Sequence, residues 1–282
     1  MLPVADLQST DGHRQLAQSL HESGFAVISG HGIPANQLAA FYENWNNFFL
    51  ESDKTTFKAD PATHAGYFSL ENAETAKSAA AQDIKEYYQF WPGGPLPDSQ
   101  RQLTLQLYDL MYELATTVLA VLQRYSADTL WAQLERPLAD YLSRPDTMMR
   151  ILRYPPLTGS EPTQALRAAP HEDINFITLL PAATQSGLQI KPRQSDWQPV
   201  DAPDGAIIIN IGDMLQELTD HKLPSTTHRV INPKGIAGHQ ARVSAPLFCH
   251  PEPSLRLSDQ YTAGAYLRER LNEINPKQMG DD

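Results

Sequence analysis

With 282 residues, 41% of them hydrophobic and 20% charged, the chain is long enough to bury a large core and has the make-up of an ordinary globular protein rather than a disordered or fibrous one. A formal net charge of -11 argues against general nucleic-acid binding, because neutralising phosphates takes clustered Lys and Arg. An anionic substrate would therefore need a local positive site.

Read from its start, Met1 to Asp6 shows neither the basic segment nor the apolar core of a signal peptide. No uninterrupted apolar run reaches bilayer length, so the expectation is a cytoplasmic protein with no membrane span. Leu2 to Leu7 predicts a short strand. Ser9-Thr10-Asp11 then offers capping oxygens to a helix that turns Leu16, Ala17 and Leu20 inward and stops at Gly24. Phe25 to Ser29 is β-branched and apolar and predicts a strand, with a turn at Gly30-His31-Gly32. From about Ala35, Leu38, Phe41, Trp45 and Phe48 fall at helical spacing and form a core stripe.

Glu51 to Pro97 has no clear period, and a stretch of that kind either lines a site or packs as a satellite under a loop. A long helix is predicted from near Ser99, carrying Leu103, Leu107, Leu110, Leu114, Val118 and Val121 on one face. A second, around Leu130 to Tyr141, is bent or split by Pro137. After Pro145 the pattern changes to short β-type runs: Met148–Tyr154, Ile174–Leu180, Gly187–Ile190, Gly205–Ile211, His228–Ile231 and Arg242–Phe248. The fold class expected is mainly β with flanking helices, a double-stranded β-helix (jelly-roll) core with an N-terminal α/β region packed on it. Residues 1–144 form that N-terminal region, 145–255 the catalytic core, and 256–282 a C-terminal helix and tail. Cys249, the single cysteine, excludes an internal disulfide and, in its apolar setting, reads as a buried inert thiol.

The chemistry sits in the β half. His171-Glu172-Asp173 puts an imidazole and a carboxylate two residues apart, on one face if the backbone is extended, and His228 in Ser225-Thr226-Thr227-His228-Arg229-Val230 offers a third ligand. Two histidines and a carboxylate describe the facial triad of non-heme Fe(II) oxygenases. The same three residues would also serve a zinc hydrolase with an activated water. Arg242 and Ser244 also share a face, and a buried guanidinium beside a hydroxyl is shaped to grip a carboxylate; the competing reading is a structural salt bridge. Tyr154 offers a phenolic hydrogen bond or simply core packing. Tyr67, Phe68, Phe90, Phe176 and Phe248 are the candidates for lining a pocket for a small, partly apolar molecule.

Taken as a set, these stretches resemble the Fe(II)- and 2-oxoglutarate-dependent dioxygenase superfamily, in the branch that includes isopenicillin N synthase. The resemblance runs through Glu22-Ser23-Gly24-Phe25, His31-Gly32-Ile33-Pro34, Lys85-Glu86, Arg153-Tyr154-Pro155, Gly187-Leu188-Gln189-Ile190, Asn210-Ile211-Gly212-Asp213, Ser225 to Val230 and Arg242-Val243-Ser244-Ala245-Pro246. It implies that His171, Asp173 and His228 hold Fe(II), and that Arg242 and Ser244, with Tyr154 beside them, hold the distal carboxylate of the co-substrate 2-oxoglutarate. His31 and Gly32 would be a structural turn, and Asn210 to Asp213 would build the barrel without touching the iron. The activity implied is reaction with O2 and oxidative decarboxylation of 2-oxoglutarate to succinate, coupled to oxidation, chiefly hydroxylation, of a small organic substrate. An oxidase of the isopenicillin N synthase kind, which uses Fe(II) and O2 without 2-oxoglutarate, and a jelly roll that binds without turnover are the alternatives. No nucleic-acid or membrane partner is expected.

Overall fold

The computed structural model describes residues 2–51, 53–72, 82–162, 165–193, 195–233 and 235–274. The N-terminal part contributes β1 (Val4–Asp6), α1 (Thr10–Ser23), β2 (Phe25–Ser29), α2 (Ala35–Leu50), β3 (Gly66–Phe68), β4 (Glu86–Phe90) and α3 (Asp98–Arg124). Then come β5 (Met148–Tyr154), β6 (Ala168–His171), β7 (Ile177–Pro181), β8 (Leu188–Ile190), β9 (Gln198–Pro199) and β10 (Ile207–Ile211). The chain continues with α4 (Asp213–Leu218), β11 (His228–Val230), β12 (Arg242–Ser244), β13 (Leu247–Cys249) and α5 (Ala263–Ile274). Residues 275–282 of the expected C-terminal tail lie outside the described residues.

The strands form two sheets. The larger has nine strands in the order β1-β2-β10-β7-β13-β5-β4-β3, with β12 also paired to β5; the smaller has four, β6-β11-β8-β9. Strands from before residue 144 thus share a sheet with β5, β7, β10 and β13. This is a jelly roll with helices on its outer side, as the sequence pattern implies.

The central strands of the larger sheet are buried on both faces, and residue alternation sorts their side chains between two environments. In β2, Ala26 and Ile28 join the main core with the helices, whereas Phe25 and Val27 join a second core shared with β6, β8 and β11 of the smaller sheet. In β10, Ile207, Ile209 and Ile211 take the helix side and Ile208 the inner side. In β5, Met149 and Ile151 take the helix side, while Leu152 and Tyr154 face inward with Tyr87 of β4.

On the helix side, α1 begins where the Ser9 hydroxyl accepts from the Gly12 amide (3.0 Å). It ends at Gly24, whose φ of 71° lets its amide bond back to the Leu20 carbonyl. A side chain there would strike the Pro224 carbonyl as well. Trp45 of α2 is fully buried among Phe48, Phe49 and Tyr88, and its indole N–H donates to the Thr104 hydroxyl of α3 at 3.0 Å. By length and composition α3 could cross a membrane; half of its most apolar stretch is buried in the protein, as in the core helix of a globular domain.

Three expectations change. The helix around Leu130 to Tyr141 is instead two single 3-10 turns, Asp128–Leu130 and Leu138–Tyr141, with Pro137 just before the second; proline supplies no amide and crowds the preceding turn. The stretch from Glu51 to Pro97 contains β3 and β4, both in the larger sheet, and its residues 73–81 lie outside the described residues. The run Arg242 to Phe248 is two strands interrupted at Ala245-Pro246, β12 ending on Ser244 and β13 starting at Leu247.

Trp45→Ala, which empties the largest fully buried side chain between α2, α3 and β4, is expected to lower unfolding free energy by about 3–5 kcal/mol in urea titration. A loss below about 1 kcal/mol would show that the aromatic cluster closes over the gap.

Candidate metal centre and co-substrate pocket

The pairing of β6 with β11 brings the two histidines together: His171 and His228 are direct cross-strand partners, with ring centroids 4.3 Å apart. β6 ends at His171. Asp173 is carried by the loop that follows, whose path is fixed where the Asp213 amide donates to the Asp173 carbonyl at 2.7 Å. Sequence alternation therefore anticipates the meeting of His171 and Asp173, although a loop rather than a continued strand achieves it. Asp173 Oδ1 lies 3.8 Å from His171 Nε2 and 3.7 Å from His228 Nε2, and the three ligand atoms all fall within 4.8 Å of one another. Glu172 and Thr227, each next to a histidine, are joined by a hydrogen bond from the Thr227 hydroxyl.

The hydrogen bonds around these residues suit a cation. His171 Nδ1 faces the Ala169 carbonyl at 2.8 Å and His228 Nδ1 faces the Thr226 carbonyl at 3.1 Å. A carbonyl only accepts, so each Nδ1 carries the proton and each Nε2 keeps its lone pair for a metal. The other carboxylate oxygen of Asp173 is occupied: Oδ2 accepts from Thr178 Oγ1 at 2.5 Å and from Asn210 Nδ2 at 2.8 Å. That leaves Oδ1 as the free ligand atom.

Burial alone would raise the Asp173 pKa, but the two imidazoles and these hydrogen bonds outweigh it and hold the carboxyl below its ordinary range. Desolvation, and then the facing His228 ring, push His171 down to about 4. Since 41% of that side chain is open to solvent at the pocket mouth, screening trims the effect, and the direction is what matters.

The second constellation faces the same pocket. Arg242 lies directly opposite Tyr154 in the β12–β5 pairing, and Ser244 opposite Leu152. Arg242 is buried; its Nε donates to the Gln185 carbonyl (3.0 Å) and NH1 to the Ser244 hydroxyl (3.2 Å). Its guanidinium sits 5.1 Å from the centre of the Tyr154 ring, so Tyr154 contributes its face. Among the described residues no carboxylate lies within ion-pair distance of Arg242, which removes the structural salt bridge as its explanation. His171, Asp173, His228, Tyr154, Arg242 and Ser244 all line one cavity of about 80 Å³. A larger cavity, about 780 Å³, lies elsewhere, between the Thr129–Tyr141 segment and Ser254–Asp259, and includes none of these residues.

Of the aromatic candidates only Phe248 lines the site. Phe90 and Phe176 are fully buried in the main core; Tyr67 donates its hydroxyl to Glu86 (2.6 Å), and Phe68 stacks on Tyr87 at 4.6 Å. Phe25, placed by the sequence in a core strand, reaches the pocket and meets the His228 ring edge-on at 5.4 Å.

The sequence reading also missed the holders of Asp173. Asn210 lines the cavity and grips the Asp173 carboxylate. The signal was present: an asparagine inside Ile207-Ile208-Ile209-Asn210-Ile211 must find a buried partner. Lys85 was noted only as part of a motif. It lines the pocket and pairs with Asp83 at 2.8 Å, whose other oxygen accepts from the Ala169 amide of β6. His31, as expected, is structural: its Nε2 meets the Gly205 carbonyl at 2.6 Å.

A jelly roll that presents two histidines and one carboxylate from one side of its mouth, with an unpaired arginine further in, defines a mononuclear non-heme metal oxygenase. The comparisons agree. A model of the 2OG-Fe(II) oxygenase superfamily matches residues 145–251, and one described as the N-terminal region of non-haem dioxygenase in morphine synthesis matches residues 2–109. The solved structure of a Shewanella oneidensis protein classed as an oxygenase is 43% identical with a TM-score of 0.87, over 97% of this chain and 98% of that one. A 2OG-Fe(II) oxygenase family protein from Caulobacter crescentus is 27% identical with a TM-score of 0.79, over 97% and 99%. Among curated proteins, the 2-oxoglutarate-Fe(II) type oxidoreductase hxnY of Emericella nidulans is 29% identical, covering 90% of this chain and 79% of its own.

This chain belongs to the 2OG-Fe(II) oxygenase superfamily, in the isopenicillin N synthase-like branch. It is an oxidoreductase that works with Fe(II), 2-oxoglutarate and O2. Family membership favours that reading over the oxidase that dispenses with 2-oxoglutarate and over the zinc hydrolase.

Two outcomes follow from the hydrogen bonds and the ring environment. The double substitution Asn210→Ala/Thr178→Ala, which removes both donors to Asp173 Oδ2, is expected to weaken Fe(II) binding roughly 10–100-fold in chelator competition; unchanged affinity would show that the carboxylate is held by its backbone alone. In the metal-free protein, His171 stays neutral while an unfolded histidine protonates near 6.5. Between about 6.5 and about 4 the unfolded chain therefore binds more protons, and stability falls as pH falls. Urea unfolding at pH 7 and pH 5 should show a smaller pH effect in His171→Asn than in the parent; equal slopes would assign the acid sensitivity elsewhere.

Proposed function

We propose that His171, Asp173 and His228 hold the Fe(II), that Arg242 and Ser244 receive the distal carboxylate of 2-oxoglutarate beside the Tyr154 ring, and that the enzyme hydroxylates a small, partly apolar organic molecule. The observation that carries this reading is the buried Arg242 guanidinium, turned into the cavity of the three ligands and lacking a carboxylate partner among the described residues. The donor set fits the ion: two imidazoles whose Nδ1 atoms face carbonyls, so that Nε2 is the nitrogen offered, and one carboxylate oxygen are ligands that non-heme Fe(II) accepts.

When bound, Fe(II) and 2-oxoglutarate supply the oxidative decarboxylation that turns O2 into an oxidant of C–H bonds. The chain's own residues do the placing. Thr178 and Asn210 keep Asp173 Oδ2 engaged, so that Oδ1 is the oxygen that would hold the ion. Arg242 offers a fork already oriented by Gln185 and Ser244, so little ordering remains when a carboxylate arrives. Phe25, Leu180, Leu188, Val230 and Phe248 give the cavity an apolar wall. Such a wall favours a substrate with apolar surface and keeps water away from the reacting centre.

Anaerobic visible absorption after adding Fe(II) and then 2-oxoglutarate tests the assignment. A charge-transfer band is expected only with both additions. Arg242→Ala should raise the 2-oxoglutarate concentration needed by roughly a hundredfold, the loss of a charge-assisted double hydrogen bond. Iron binding without a band would overturn the co-substrate assignment, and succinate release then screens candidate substrates.

A further inference from the structure

Arg167, just before β6, is the second buried arginine in this region, and the mechanism above does not use it. Its side chain is fully buried. NH2 donates to the Gln240 carbonyl at 2.9 Å, NH1 donates to the Gln185 side-chain oxygen at 3.3 Å, and Nε finds no partner among the described residues. Among the described residues no carboxylate pairs with it. All its partners are neutral, although burying an unpaired charge is among the costliest things a fold can do.

Its neighbours tie it to the co-substrate end of the pocket. Gln185 holds both guanidiniums, Arg167 through its side-chain oxygen and Arg242 through its main-chain oxygen. The Tyr154 ring lies near both, 6.0 Å from the Arg167 guanidinium carbon and 5.1 Å from that of Arg242. Desolvation, and then the charge of Arg242, depress the Arg167 pKa. Two like charges are thus packed around one ring with no anion beside them.

A purely structural role leaves this arrangement without a reason, since an apolar side chain would fill the space without desolvating a charge. Arg167 is not among the cavity-lining residues, so it makes no direct contact there. We propose that Arg167 is a positioning residue for the co-substrate: its field, together with its hold on Gln185, makes the Arg242 pocket selective for a ligand that carries a distal carboxylate. This rests on the reading that Arg242 receives that carboxylate.

The test compares two ligands of the Fe(II)-loaded protein under argon by the charge-transfer band. One is 2-oxoglutarate; the other, 2-oxopentanoate, has the same chelating end and a methyl in place of the distal carboxylate. Arg167→Met should weaken 2-oxoglutarate roughly tenfold, the size of one ordinary charge–charge coupling, and leave 2-oxopentanoate nearly unchanged. Arg167→Lys should restore most of the difference. Thermal melting of the metal-free protein should show Arg167→Met at least as stable as the parent, because a desolvated like charge has been removed. Arg167→Gln carries the same ligand comparison should the methionine variant not fold.

Equal weakening of both ligands, or a parent-like preference in the variants, would overturn the proposal while the Arg242 assignment stands. A parent protein that itself does not prefer 2-oxoglutarate would overturn the Arg242 assignment, and this proposal with it.

Discussion

The structure depends on one constraint, a nine-stranded sheet whose central strands are buried on both faces. Those strands must place alternate residues in two different interiors, so register decides which side chains meet the pocket. β12 shows the stakes. Val243 belongs to the helix-side core while Arg242 and Ser244 line the cavity. A slip of one residue would bury a guanidinium among the helices and aim a valine at the cavity. The same rule sends Thr178 and Leu180 of β7, and Asn210 of β10, to the pocket, and Ile177, Leu179 and Ile209 to the core. Folding correctly and building the site are one event, because the wrong register carries the expense of an unpaired buried charge.

Much of the site was legible because its residues are out of place by ordinary rules. Histidines and a carboxylate in apolar β-type runs, and an Arg-x-Ser inside another, need a reason to be there, and the resemblance to a known family supplied one. The sequence could not reveal what depends on long-range pairing. In Glu86-Tyr87-Tyr88-Gln89-Phe90 every residue is buried, so no alternation marks it as a strand. Glu86 is tolerated because Arg153, Tyr67 and Lys54, distant in the chain, surround it. Leu130, Leu134, Leu138 and Tyr141 mimic a helical period, yet Leu130 ends one 3-10 turn, Leu138 and Tyr141 belong to another that follows Pro137, and Leu134 lies between them. Four of the five aromatic candidates miss the cavity for a related reason. Phe90 and Phe176 are as apolar as Phe248, and only tertiary placement separates wall from core.

Asp173 illustrates a prediction right in outcome and different in cause. The two-residue spacing from His171 matters less as strand alternation than as the shortest loop that can return a carboxylate to the strand's end. Asp213, at the start of α4, fixes that loop through its amide. The ligand set is therefore tied to three places: the β6–β11 pair, the start of α4, and, through Asn210, the strand leading into α4.

Charge completes the argument. The buried carboxylates Asp83 and Glu86 are matched, Asp83 by Lys85 and the Ala169 amide, Glu86 by Arg153 and Tyr67. The unmatched charges gather in and beside the pocket. One end holds the Asp173 carboxylate between imidazoles, of which His171 stays neutral until pH falls well below its ordinary value. The other holds Arg242 and Arg167 without a carboxylate partner among the described residues. Neither end is comfortable alone, since each is a desolvated charge of one sign. A divalent cation relieves the first and a dianion the second, and a dianion that also chelates the cation relieves both. Such coupling is reciprocal: loading either ligand must tighten the other by the same factor. In the proposed reading, the protein's overall acidity is no obstacle to binding 2-oxoglutarate, because the interior sets the sign where the ligand sits.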